Sequence, residues 1–288
     1  MLTGASATEN GGSVYPAGVE TVMTGMQPLP GQTAIYEYTC LYAANEFADA
    51  KGKSSVPEFK LRVFANAFKI THNWGIRFLG GTIESQIGVP FLYEQLHVAP
   101  GKFSKFGVDN VNLIPFSVTY AKGNVHWYYE ADLFSPGGGY SQSGVLNVGQ
   151  HNLAAAPVAG FTYLPKQGKG EISSRFMYIF NGYDKATHYH SGNEFLWEYN
   201  ADYEISKKVA AGFNGYFYQQ TTSDYLEGSV FQGGFRGRDL ALGPQVRFPL
   251  GKRGGFAVKY YRDTLTQNKP RGNAFWFQLS VRVGRSAS

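Results

Sequence analysis

The chain has a single cysteine, Cys40, among its 288 residues. That excludes an internal disulfide and a cysteine-based metal cluster. Charge is scarce: Asp, Glu, Lys and Arg make up 16% of the chain, against about 25% in a soluble globular protein. Long hydrophobic runs are missing too. Nothing approaches the roughly 18 apolar residues of a membrane-crossing helix, and mean hydropathy is −0.26. The net charge is +5, yet Lys and Arg are scattered rather than clustered, which argues against nucleic acid as a partner. Met1-Leu2-Thr3-Gly4 lacks the basic start and apolar core of a signal peptide. The expectation is a mature or engineered N-terminus, with residues 285–288 as a tail or an engineering scar.

Aromatics are abundant, with 20 Tyr and 22 Phe, and there are 36 Gly, which suits tight turns and bends in strands. The most informative stretch is Glu194–Ile205, E-F-L-W-E-Y-N-A-D-Y-E-I. Phe195, Trp197, Tyr199, Ala201, Tyr203 and Ile205 fall on one parity. Glu194, Leu196, Glu198, Asn200, Asp202 and Glu204 fall on the other. Alternate side chains of a strand point to opposite faces, so one face is aromatic and the other largely acidic. The segment exceeds the usual strand of about five or six residues. It is long enough to cross a bilayer when tilted, which takes roughly 9–11 residues.

Other segments repeat this pattern, and their connections alternate between long and short. The predicted fold is all-β: an up-and-down antiparallel barrel of about 12 strands spanning the membrane, apolar side chains towards lipid and polar ones towards a lumen. Residues 1–31 form an N-terminal extension, 32–284 the barrel. Long extracellular loops and short periplasmic turns would place both termini in the periplasm. Closure leaves no strand edge, where each unpaired backbone group in lipid costs several kcal/mol. Outer-membrane lipid is the expected partner of the outer wall. Tyr36, Trp74, Trp127 and Tyr260 are expected in the interfacial girdles.

Strand 2 is read as Pro57–Ile70, with a tight turn at Thr71-His72-Asn73, strand 3 at Trp74–Val89, and a long loop from Pro90 to Gly107. Within the extension, Val19, Val22, Met23 and Met26 have helical spacing, enough for one or two turns. That segment is either a short plug in the barrel mouth or lumen, with Glu20 near the pore, or a periplasmic tail.

The expected pore lining is Glu130, Asp132, Glu194, Glu198 and Asp202 on one side. Lys60, Arg62, Arg247, Lys259 and Arg282 are expected on the other, with Tyr216, Tyr218, Phe64, Phe68 and Trp276 also inward. Opposed walls of this kind set up a transverse field that orients polar or charged solutes. The alternative is local pairing that fills a small lumen, as Arg175 can do with Glu194 or Glu198. Charged and aromatic walls together suit small aromatic or amphipathic permeants.

Three stretches then carry a family resemblance. They are Y-P-A-G-V-E-T-V-M-T-G-M-Q-P-L-P-G near the N-terminus, G-V-D-N-V-N-L-I-P-F-S-V-T-Y before the fourth strand, and S-P-G-G-G-Y with N-V-G-Q-H-N. In that order, across about Asn10 to Val283, the chain resembles a family of outer-membrane channels associated with the meta-pathway of phenol degradation. The resemblance implies a twelve-stranded monomeric channel for small, hydrophobic or aromatic molecules, without cofactor or catalytic motif. The chain departs from many outer-membrane barrels in not ending on an aromatic residue.

Enzymatic alternatives find little support. A barrel phospholipase needs a Ser-His pair two apart on the outer face, but His190 and Ser191 are adjacent and no His-x-Ser occurs. His188 and His190 are two apart but have no further ligand, so they read as solvated rather than metal-binding. A rim protease or a loop-mediated adhesin stays open as an alternative, with Asp184 and Asp224 as ordinary loop acids. The glycines of P-G-G-G-Y lack the following Gly-Lys-Ser/Thr of a phosphate loop and are expected to let that loop fold inward.

Overall fold

Alternating parity gives strands, and strands whose both flanks are paired close into a ring. The computed structural model describes residues 12–99, 101–142, 144–251 and 253–284. The start of the expected extension and the tail at 285–288 lie outside the described residues. The strands are β1 (Thr33–Ala48), β2 (Lys60–Phe78), β3 (Gly81–Val98), β4 (Gly101–Val108), β5 (Asn112–Lys122), β6 (Val125–Phe134) and β7 (Ala154–Tyr163). After them come β8 (Gly170–Asn181), β9 (Glu194–Ser206), β10 (Val209–Gln220), β11 (Arg238–Leu250), β12 (Gly254–Asp263) and β13 (Lys269–Val283). Each pairs antiparallel with its sequence neighbour around the ring, and β13 closes on β1 from Thr33↔Val283 to Ala48↔Lys269. Strand β4 stands outside the ring as a hairpin partner of the far end of β3, while β5 takes the near end. Twelve strands thus close the barrel. No helix among the described residues is long and apolar enough to cross a membrane.

The outward parity is apolar and bare: Phe213 is 69% exposed, Phe275 47% and Leu242 44%. On β9 the alternation follows the sequence reading, with Trp197 outward and Glu194, Glu198 and Asn200 buried inside. Strands this greasy on the outside and polar on the inside suit acyl chains around the ring.

Strands β2 and β3 differ from expectation. Thr71-His72-Asn73 is not a turn. Thr71 and Asn73 face the lumen: Thr71 donates to Gln86 on β3, and Asn73 donates to Thr82 and Glu84 on β3 and to the Pro28 carbonyl of the N-terminal segment. Inward polar residues have the composition of a turn, which misplaced it. The chain continues through a bulge between Asn73 and Arg77, where Gly75 has φ +70°, and turns at Leu79-Gly80. A two-residue turn pairs Phe78 with Gly81 and so reverses numerical parity. Glu84 and Gln86 therefore lie opposite Ile76 and Phe78 although all four are even-numbered. The expected loop Pro90–Gly107 is instead the far half of β3 with most of β4.

Residues 13–26 run inside the ring. They form successive turns rather than the helix their spacing suggested, with φ +88° at Gly18 and +55° at Met23. Left-handed residues break a helical repeat, and the backbone bonds to wall side chains instead.

The barrel interior as candidate functional site

Strand β7 offers only small side chains to the interior near its centre, Val158, Gly160 and Thr162. A Cβ at Gly160 would lie 2.5 Å from the Tyr128 ring, so glycine makes room for that ring. The low wall lets Arg175 on β8 reach across to β6. Its guanidinium is 3.3 Å from Glu130 and from Asp132, and 3.7 Å from Glu198 and from Glu20. It also lies 4.7 Å from the Tyr15 ring centroid. At 1% side-chain exposure, a single cation among four acids is held only because they surround it. Gln86 adds a hydrogen bond to Glu130 at 2.8 Å.

The segment 13–26 threads this network. Glu20 accepts from Lys69 at 2.6 Å and faces Arg175. Glu198 accepts from Tyr15 Oη at 3.1 Å and from the Gly18 amide at 2.7 Å. Lys259 donates to the Gly18 and Val19 carbonyls, both at 2.8 Å. Further along, the Met23 amide bonds Glu171, Thr24 meets Tyr128, and the Gly25 amide donates to Thr162. A Cβ at Gly25 would lie 2.5 Å from the Thr162 nitrogen and 2.6 Å from the His126 carbonyl, so only glycine passes there. Gln278 and Arg282 donate to the Val22 and Met26 carbonyls. Wall side chains thus do for this backbone what a sheet or helix would otherwise do. A cavity of about 180 Å³ remains beside Met23 and Met26, lined also by Tyr36, Arg247, Gln278 and Arg282.

Of the residues expected to line the pore, Glu130, Asp132, Arg175, Glu194, Glu198, Asp202, Arg247, Lys259, Arg282, Tyr216, Tyr218 and Trp276 lie on the inner parity. Arg175 reaches Glu198; Glu194 instead bonds Ser13 and Asn181. Arg247 pairs with Asp202 at 2.9 Å and Glu171 at 3.3 Å. Four expectations are corrected. Lys60, Arg62, Phe64 and Phe68 lie on the outer parity of β2, the two aromatics 47% and 49% exposed. The apolar parity of β2, assigned to lipid, instead faces inward: Leu61 packs with Phe47 and Phe59 inside the mouth, and Ala65 and Ala67 border the core. Tyr36 likewise turns inward and stacks on Tyr38 rather than joining a girdle. Trp74, at 55% exposure, faces outward as expected.

The reading missed Lys69, Glu171, Asp239, Asp263 and Lys269 as interior groups. Lys69 is a lone charge on an otherwise apolar parity, and that interruption was the available signal. Asp239 and Asp263 share Tyr216 Oη at 2.9 and 3.1 Å, and Tyr42 donates to Asp263 at 2.8 Å. The loop 135–153 is strapped to the wall through Asn110, which bonds the Ser135 and Gln150 carbonyls. Beside it, burial pushes the Asp109 carboxyl up to about 7. His188 bonds Tyr183 and His190 the Asn181 carbonyl. No group of three or more metal-ligating side chains occurs among the described residues.

The barrel superposes on a COG4313 outer membrane channel from Pseudomonas putida F1 with a TM-score of 0.75 and 15% identity, covering 94% of this chain and 100% of that one. The β domain of the Bordetella autotransporter BrkA gives a TM-score of 0.50 and 10% identity, with 88% and 100% covered. At such identity these likenesses speak for the fold. No curated protein matches the sequence. Residues 44–279 match the family described as "Putative MetA-pathway of phenol degradation", and the chain belongs to it.

Proposed function

We propose that this chain is a monomeric outer-membrane channel that admits small molecules by diffusion, with residues 12–31 as a plug in its lumen and both termini in the periplasm. One observation carries the reading. The ring is closed and apolar outside, yet its interior is lined by ionisable side chains that grip a segment which is not part of the wall. A structural core would be filled by apolar side chains; a polar interior occupied by a segment outside the wall suits passage of solutes. The short turns at Leu79-Gly80, Gly123-Asn124 and Lys207-Lys208 and the longer loops at the other end favour the periplasmic placement of the termini.

Acids outnumber bases on the inner wall: Glu84, Glu130, Asp132, Glu171, Glu194, Glu198, Asp202, Asp239 and Asp263 against Lys69, Arg175, Arg247, Lys259, Lys269 and Arg282. The open lumen therefore favours cations over anions. Tyr36, Tyr38 and Trp276 beside these charges suit small aromatic permeants. The channel makes and breaks no bonds. The loop acid Asp184 is taken up by His151 and the Ala186 amide, and Asp224 by Tyr189 and the Gly192 amide.

The test is single-channel recording in planar bilayers. Deleting residues 1–26 should raise unit conductance several-fold while reversal potentials in a salt gradient stay cation-selective. Equal conductance with and without the segment would remove the plug; absence of unit steps in both would remove the channel.

A further inference from the structure

The outer face of the barrel is apolar over most of its height, but the β2–β3–β4 corner at the long-loop end is not. Register there sets side chains in three horizontal rows. Lys60, His97 and Lys102 are cross-strand neighbours in the outermost row; Arg62, Gln95 and Ser104 form the next; Phe64, Tyr93 and Phe106 form the third. Neighbouring strands are about 4.8 Å apart and same-face rows about 6.8 Å, so Lys60, Arg62 and Lys102 are rooted within roughly 12 Å of one another. Phe64 and Tyr93 are 47% and 40% exposed and Phe106 68%, an aromatic row of the kind that marks the membrane interface.

The two outer rows line a cleft of about 290 Å³. Lys60 and Lys102 make no hydrogen bond or ion pair among the described residues. Arg62 donates to the Ala44 and Leu61 carbonyls and to Asn45. Those bonds hold it in place and leave two of its five N–H groups for another acceptor. The Glu58 carboxylate lies 3.9 Å from His97, at the edge of the row. Like charges side by side on a sheet repel unless something anionic covers them.

We infer that this corner binds the phosphorylated sugar headgroup of a lipid in the outer leaflet, its phosphates on Lys60, Lys102 and Arg62 and its acyl chains down the aromatic row. The inference rests on the long-loop end being extracellular, as proposed above. Charge complementarity argues for a phosphate-bearing headgroup, and the stacked order of cationic, polar and aromatic rows argues for a lipid over a soluble anion. Such a lipid would brace the β3–β4 hairpin, which the ring itself does not hold on its outer edge.

The test titrates the full-length protein in neutral detergent with bis-phosphorylated lipid A and with the same lipid dephosphorylated, reading bound lipid by native mass spectrometry. The wild type should prefer the phosphorylated form at least tenfold. Replacing Lys60→Gln, Arg62→Gln and Lys102→Gln together should weaken that binding about a hundredfold, at roughly a factor of five per cation. Lys207→Gln with Lys208→Gln, at the opposite rim, should leave it unchanged. Equal binding of both lipid forms by the wild type overturns the inference, even if the triple variant fails to fold. Equal binding by the triple variant does so too. Conductance of the triple variant in phosphatidylcholine separates the two readings: preserved steps with lost lipid binding leave the channel standing, and lost steps in every variant count against the channel alone.

Discussion

On the inner face of β2, Lys69 lies 2.6 Å from Glu20, at 9% side-chain exposure. On the outer face of the same strand, Arg62 and Lys60 sit at the rim, above a row of lipid-facing rings. Inside, a buried acid or base is kept where a salt bridge or hydrogen bonds reach it, as Glu20 reaches Lys69 and as Ser13 and Asn181 reach Glu194, because burial without a partner costs several kcal/mol. Outside, cations are placed where water and headgroups reach them. The outer wall departs from this rule at Glu37, which shares its face with Ile35 and Leu41, 42% and 47% exposed. Its carboxylate is met by Thr39 and Asn66. The contrast teaches that the two faces solve the problem of charge differently: by partners within the ring, and by depth outside it.

The comparison can be broken in four places. Arg175→Met should cost the most, about 3–5 kcal/mol, since it leaves Glu130, Asp132 and Glu198 packed together without the cation they share, Glu20 keeping only Lys69. Urea unfolding in detergent measures it, and a loss below ~1 kcal/mol would show that the acids do not depend on Arg175. Phe213→Arg, on the bare outer wall of β10, should cost about 2–4 kcal/mol in a bilayer. A neutral result would mean that face does not meet acyl chains. Glu37→Leu should stabilise the barrel in lipid by about 1 kcal/mol, less than a basic residue would cost there. Destabilisation would instead give the Glu37–Thr39–Asn66 cluster a structural role.

The smallest effect concerns pH. Burial raises Asp109 to about 7, so the contribution of this group to holding the loop is complete below its unfolded value of about 3.9. It is lost as pH rises through the folded value. Amide exchange at Asn110 and Gln150 should quicken between pH 5 and about 8 beyond the chemical trend. Asp109→Asn should remove that excess, and an unchanged profile would clear Asp109 of the role.

How much of this was legible depends on where chain contacts are local. Glu194–Ile205 announced its two faces because every inward position from 194 to 202 is polar apart from Leu196 and every outward one is apolar. Strands β2 and β3 were misread where the lumen side is itself apolar, at Leu61, Val63, Ala65 and Ala67, and where the inward Thr71 and Asn73 looked like a turn. The grip on residues 13–26 was beyond sequence reasoning. Glu198 lies 180 residues from Gly18, and Lys259 lies 241 from it. Ring closure alone brings them together. Helical spacing in that segment pointed the wrong way because Val19 joins the barrel core while Val22, Met23 and Met26 border the cavity, with left-handed turns between them.

Strand parity divides lipid from lumen, and site-directed spin labelling along β9 probes that division directly. In a Cys40→Ala background in proteoliposomes, nitroxides at 195, 197, 199 and 201 should collide with oxygen dissolved in the bilayer. Those at 196, 198 and 200 should be shielded from it. Strict two-residue alternation in oxygen accessibility is the predicted result; uniform accessibility to a water-soluble nickel chelate along the whole strand would contradict it.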